Sequence, residues 1–411
     1  MKKWCISVLR HTVWGFRIVL GLCLIAPIFI TAFWFNYTVD RSGYFQGDQF
    51  VRDIALMLLD GQNVSGYEQM DERQVSRLLV QNAKKPPNTV ALGSSRILQM
   101  DSKTAGTNDF FNYGMVGADY MDVLGTFYLM DKAEKLPENI IIGFDPWLLN
   151  GNDDALDKRS DKQLFAEFAT KELGVDMGYQ AKDESDKYRA LFSLSYFQGN
   201  LEYYFRDALL EKKPSPVLGD IENQITETKR GDGSVYYTKE LRNATREEAD
   251  ALAMAQAGTF LRMQGYEAPD KTLLQIYDKF FALAEQKDVN IILVLTPYHP
   301  LLWNIVWAQK ADFPGFFETE AAVRALAERH NIPVYGSYNP YALEDIGSDD
   351  FYDGLHVRTS GIAKFFPGMP EALRAQQNGE LPPALDPLTP HSFLKSLITQ
   401  RNAPFAMQKI V

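Results

Sequence analysis

The 411-residue chain carries 42 Lys+Arg against 53 Asp+Glu, a formal net charge of -11 at pH 7, and so lacks the basic excess that phosphate backbones require of a nucleic-acid partner. Hydrophobic residues at 46% and charged residues at 23% exclude a disordered chain and allow a substantial core.

Lys2, Lys3, Arg10 and Arg17 precede an uncharged apolar run from Ile18 to Phe35. Together with Val13 to Phe16, the run reaches the ~20 residues that a helix needs to cross a bilayer. Trp14 and Trp34 stand near its ends, where amphipathic rings favour the interface. The basic flank predicts a cytoplasmic N-terminus and an extracytoplasmic chain after Asn36. The run is long for a signal peptide and no small-x-small cleavage site follows it, so residues 1–36 read as a retained single-pass anchor. Both cysteines, Cys5 and Cys23, lie before or within it. The exported part therefore has neither disulfide nor thiolate metal site.

Residues 37–87 read as a polar, helical lead-in. Val75, Leu78, Leu79 and Asn82 keep helical spacing until Lys84-Lys85-Pro86-Pro87-Asn88 breaks it. Five apolar runs then predict buried strands: Thr89–Leu92, Asp109–Tyr113, Asn139–Phe144, Asn290–Leu295 and Ile332–Tyr335. Helical segments stand between them, one opening on the capping box Thr245-x-x-Glu248. This alternation predicts an α/β fold with a doubly wound, mainly parallel five-stranded sheet. Its two parts span 88–147 and 268–370, with a C-terminal tail at 371–411. The interval 148–267 reads as a helical insertion, either a cap over the sheet edge or a surface elaboration.

The first strand runs straight into Gly93-Ser94-Ser95-Arg96. Such a turn is a helix N-cap or the seat of a nucleophilic serine. Near the other end stands Asp353-x-x-His356, within Asp349 to Gly361. A turn lets that carboxylate meet the imidazole, fix its tautomer and stabilise its protonated form, leaving the far nitrogen to take a hydroxyl proton. Open doubly wound sheets bind ligands at the carboxyl ends of their strands. The serines after the first strand and the segment after the fifth share that end. Alone, each motif also fits a local cap or turn; together they point to a Ser-His-Asp site. The acidic run Asp349, Asp350 and Asp353 with His356 supports a competing metal reading, against which a solvated acidic loop is the plain alternative.

These motifs resemble the SGNH (GDSL-like) hydrolase superfamily, over roughly Asn88 to Met369. The resemblance implies a flavodoxin-like fold, catalytic Ser95, Asp353 and His356, no metal and no cofactor. It also implies an oxyanion hole from the backbone N–H groups of Ser95 and Gly114 and from an asparagine after the third strand. Here that strand ends in Gly143-Phe144-Asp145, and Asn150 and Asn152 follow later. A carboxylate cannot donate unless protonated, so either an asparagine folds back, with Asn150 the candidate donor, or the oxyanion hole has fewer donors. Arg96, Asp145 and His299 are candidate substrate contacts. A solvated helix position is the alternative for Arg96, and a structural role in its proline-flanked loop is the alternative for His299.

One membrane helix carrying such a domain is similar to the branch that includes the D-alanyl transfer proteins of lipoteichoic acid and the alginate and cellulose O-acetylation proteins. That similarity implies an O-acyltransferase or esterase working with an acyl donor, a cell-surface polysaccharide or polymer, and a membrane-bound O-acyltransferase partner. A non-catalytic polysaccharide-binding or assembly subunit is the remaining alternative, since a fold does not guarantee activity.

Overall fold

The computed structural model describes residues 2–39, 49–66, 72–178, 188–189, 191–205, 217–219, 226–260 and 262–377. The chain divides into two compact units, Met1–Asp53 with Ala181–Ser215, and Ile54–Gln180 with Pro216–Val411.

In the first unit a single helix, α1, spans Lys2–Val39, and its 21-residue stretch Val19–Val39 is long and apolar enough to cross a membrane. Leu24, Ile28, Phe29 and Trp34 project outward from it, fully unlike the side chains of a core helix. Its C-terminal turns pack against the segment around helix Leu194–Tyr203. Phe33 meets Phe192, and Phe35 meets Phe197, each at 5.3 Å between ring centroids. Asn36 is buried there, donating to the Leu191 carbonyl and accepting from the Asn200 amide. The buried carboxamide is thereby satisfied on both sides.

The second unit is built on five parallel strands: β1 Thr89–Leu92, β2 Phe110–Asn112, β3 Asn139–Gly143, β4 Asn290–Leu295 and β5 Val334–Gly336. They lie in the order β2-β1-β3-β4-β5. The central strands are isoleucine- and valine-rich and buried along nearly their whole length, as a sheet covered on both faces requires. Val90, Ile140 and Ile291 stand side by side across the three central strands. Helices between strands start on side-chain caps, Asp119 for Tyr120–Lys132 and Asp270 for Lys271–Gln286. From β1 the chain steps outward to β2, then returns to the opposite side of β1 to form β3. The connections leaving β1 and β3 therefore diverge, opening a crevice at their carboxyl ends. Ser95 stands at that point.

The interval 148–267 is not purely helical, which corrects the reading from sequence. Besides helices Lys162–Lys171 and Arg246–Thr259 (α2), it supplies strands Val217–Leu218, Thr228–Lys229 and Val235–Tyr236. With Val64–Ser65 from the lead-in they form a four-stranded antiparallel sheet. Strands of two residues leave no alternation to detect. Residues 40–48 and 67–71 of the lead-in, 179–187, 190, 206–216, 220–225 and 261 of the interval, and 378–411 of the tail lie outside the described residues.

Candidate active site

The serine turn owes its position to one close backbone approach. Gly93 has φ +146, and a Cβ there would fall 2.8 Å from the Gly143 carbonyl oxygen. Only glycine lets the end of β1 press against β3 in that conformation. Ser94 then caps the short 3-10 turn Ser95–Ile97, its hydroxyl accepting from the Arg96 N–H at 3.1 Å. Ser94 is fully buried, whereas Ser95 stays half-buried at the head of the turn.

The Asp-x-x-His segment forms a tight loop closed by a bridge between Phe351 and Val357. Within it the backbone N–H groups of Leu355 and His356 both donate to Asp353 Oδ1 at 2.8 Å. The His356 ring lies with Nδ1 at 2.9 Å from Asp353 Oδ2 and Nε2 at 2.9 Å from Ser95 Oγ. Burial pushes the Asp353 carboxyl up, but the His356 charge, its ring hydrogen bond and the two backbone donors outweigh this and hold it below the usual carboxylate range. An ionised Asp353 selects the tautomer with a proton on Nδ1, so Nε2 faces Ser95 as an acceptor. The three residues thus form one hydrogen-bonded chain, reaching the surface through a half-buried hydroxyl.

Arg96, expected as a substrate contact or a solvated residue, is neither. Its side chain is 1% exposed and lies behind the serine turn. It pairs with Asp145 at 3.0 Å and donates to the carbonyls of Thr296, Pro297 and Leu355. The guanidinium also lies 3.9 Å over the Tyr298 ring. A planar fork with five donors can satisfy so many acceptors at once, which is why arginine tolerates this burial. Asp145 is thereby occupied as well: burial drives its carboxyl upward, opposed by Arg96 and by a hydrogen bond from Ser94.

His299 is likewise structural. It caps helix α3, Pro300–Ala308, with Nδ1 accepting from the Leu301 N–H at 3.1 Å, and its side chain is wholly buried. Desolvation pushes its pKa down to about 4. Its Nε2 is 3.2 Å from Asp250 Oδ1, but off the line of a hydrogen bond.

The expected oxyanion donors fare unequally. The Gly114 N–H donates to Asn112 Oδ1 at 2.8 Å, and the Asn150 amide donates to the Arg262 carbonyl at 2.8 Å. Both are engaged in holding loops. The reason at Gly114 is local: Asn112 folds its carboxamide between β2 and the serine turn, where it also donates to the Ile97 and Met100 carbonyls. Among the described residues nothing accepts from the Ser95 N–H, which leaves it available to a ligand oxygen.

Two residues at this site carried no sequence signal. Tyr237 packs its ring 6.0 Å from the His356 ring and 5.1 Å from Tyr352, in an apolar cluster with Leu98 and Val235. The Val235 N–H donates to the Leu98 carbonyl, joining the small sheet to the serine turn. Gln256, from α2, donates to Asp353 Oδ2 at 3.1 Å. The helix was legible from its capping box, but nothing marks one glutamine on it as inward-facing. Among the described residues no three or more His, Cys, Asp or Glu side chains gather as a metal site. Asp350 pairs with Lys364 at 2.7 Å, while Asp349 is exposed. No family model matches this chain, and no curated protein matches it.

Proposed function

We propose that this chain is a membrane-anchored, extracytoplasmic serine enzyme of the SGNH type, moving an acyl group to or from a cell-surface polysaccharide or polymer through an acyl-Ser95 intermediate. The observation that carries the reading is the unbroken chain from Asp353 through His356 to Ser95, with both ring nitrogens at 2.9 Å from their partners.

The chemistry follows from that geometry. His356 Nε2 takes the Ser95 proton as Oγ attacks an ester or thioester carbonyl, while Asp353 stabilises the imidazolium. The Ser95 N–H faces the developing oxyanion. Collapse expels the donor's alcohol or thiol, which leaves with the proton from His356. An acceptor hydroxyl, deprotonated by His356 in turn, then attacks acyl-Ser95 and carries the acyl group away, restoring the serine. Esterase action is the same sequence with water as the acceptor. Transfer is favoured by the apolar α1, because an anchor raises the effective concentration of the enzyme beside a membrane-bound O-acyltransferase and the surface polymer.

The test is a serine-directed fluorophosphonate probe on the purified full chain in detergent. Covalent label is expected on Ser95 alone. A folded chain that takes no label overturns the serine reading and leaves the polysaccharide-binding or assembly role.

A further inference from the structure

Asp353 receives most of its hydrogen bonds from its own loop, from Leu355, from the His356 backbone and from the His356 ring. Among the described residues the donor from elsewhere in the chain is Gln256 Nε2, at 3.1 Å from Oδ2. The other end of the same carboxamide accepts from the Gly354 N–H at 2.7 Å. This pairing fixes the orientation of the amide, because its oxygen must face the N–H and its nitrogen the carboxylate. Gln256 therefore grips the loop at two adjacent points.

The surroundings are shaped to bring it there. The inward face of α2 carries Ala249, Ala253 and Ala257, all buried and each four residues from the next, so the helix approaches the loop closely. Gly354 completes the fit. A Cβ at that position would lie 2.6 Å from Gln256 Oε1, 2.7 Å from Leu302 Cδ1 and 3.0 Å from Ala253 Cα.

We infer that Gln256 is a positioning residue for the site: its carboxamide holds the Asp353 loop so that the carboxylate stays against His356 Nδ1 and the far nitrogen stays on Ser95. The kinetic half of this inference rests on the serine reading above; the structural half does not. Gln256 touches no reacting atom and acts through Asp353 alone. A hydrogen bond to a charged group changes equilibria by roughly 10- to 100-fold, and that is the scale of effect expected.

The experiment uses the full chain in detergent and two variants. Gln256→Met keeps the volume and removes both hydrogen bonds. Gln256→Glu keeps the length and the acceptor toward Gly354, and replaces the donation to Asp353 with a second carboxylate facing it. The first readout is the downfield proton resonance of His356 Nδ1–H, assigned by its loss in His356→Ala. It is expected to move or broaden in both variants while thermal unfolding shows a folded chain. The second is the kinetics of fluorophosphonate inactivation, where the maximal rate should drop roughly 10- to 100-fold with little change in the half-saturating probe concentration. An unmoved resonance overturns the inference whether or not the chain takes the probe. Labelling of both variants at the wild-type rate also overturns it. Wild-type chain that takes no probe instead condemns the serine reading, and the resonance still decides the role of Gln256.

Discussion

Arg96 Nε donates to the carbonyl of Leu355 at 3.1 Å, joining the residue after Ser95 to the residue before His356. The two halves of the candidate site are far apart in the chain, yet they are tied through their immediate backbone neighbours by one buried guanidinium. That same group is neutralised by Asp145. Removing one partner strands a charge in the interior, which typically costs about 3–5 kcal/mol. Arg96→Ala and Asp145→Ala are each expected to lower thermal stability by that order. The double substitution should be clearly less damaging than the sum, because no uncompensated charge remains. Arg96→Lys should also be poor, since an ammonium cannot reach three carbonyls and a carboxylate in one plane. A double-mutant cycle by thermal unfolding measures this; simple additivity would show that the pair does not act as a unit.

Ser94 and Ser95 are adjacent but differ in role. Ser94 Oγ caps the turn that begins at Ser95, so Ser94→Ala should cost about 1 kcal/mol of stability and leave probe labelling largely intact. Ser95 Oγ is the atom facing His356, so Ser95→Ala should abolish labelling with little change in unfolding temperature. Mass spectrometry of the labelled peptide, together with melting curves, separates the two. A reversal would assign the reactive hydroxyl to Ser94.

The sheet was readable from sequence because its strands are buried on both faces and appear as unbroken apolar runs between capped helices. Asp353 and His356 were readable because their pairing is local, made by one turn. The role of Arg96 was not. An arginine after a serine turn looks solvent-facing, and its burial is decided by carbonyls 200 and 259 positions away along the chain. Gln256 escaped for the same reason, its partner being 97 positions distant. Gly114 shows the reverse failure. A glycine after the second strand suggests a free N–H, but the Asn112 carboxamide two residues earlier takes it.

The Asp353–His356–Ser95 chain implies that its members act together. Asp353→Asn preserves the shape of the side chain, but an amide can present its nitrogen to Nδ1 and favour the wrong imidazole tautomer. The expected result is a loss of Ser95 labelling rate of roughly 10⁴-fold with the fold retained, by analogy with the same substitution in serine proteases. His356→Ala should be comparably severe, and Ser95 should label no more slowly in the double variant His356→Ala/Asp353→Asn than in His356→Ala alone. Rates measured at one pH across the three variants check this. Independent, multiplicative losses would mean that Asp353 contributes elsewhere.

His299 gives the fold a defined acid sensitivity. Burial lowers its pKa from the ordinary 6.5 to about 4, against the opposing pull of the Asp353 charge. The unfolded chain therefore binds a proton at this histidine over a range in which the folded chain does not. Stability then rises with pH through that range. The contribution is complete above about 6.5, is lost progressively as the pH falls toward 4, and changes no further below it. Its full size is on the order of 3 kcal/mol. His299→Asn supplies a side-chain oxygen near the position of Nδ1, so the cap on the Leu301 N–H survives while the titration disappears. Denaturant unfolding at several pH values between 4 and 7 should show a shallower slope in His299→Asn than in the wild type. Relative to the variant, the wild type should lose stability as the pH falls from 7 toward 4, because only the wild type must keep a proton off a buried imidazole. Parallel curves across the whole range would mean that His299 binds its proton in the fold as it does in the unfolded chain; a wild type that loses stability relative to His299→Asn as the pH rises through 6.5 would mean that the fold holds it charged against Asp250.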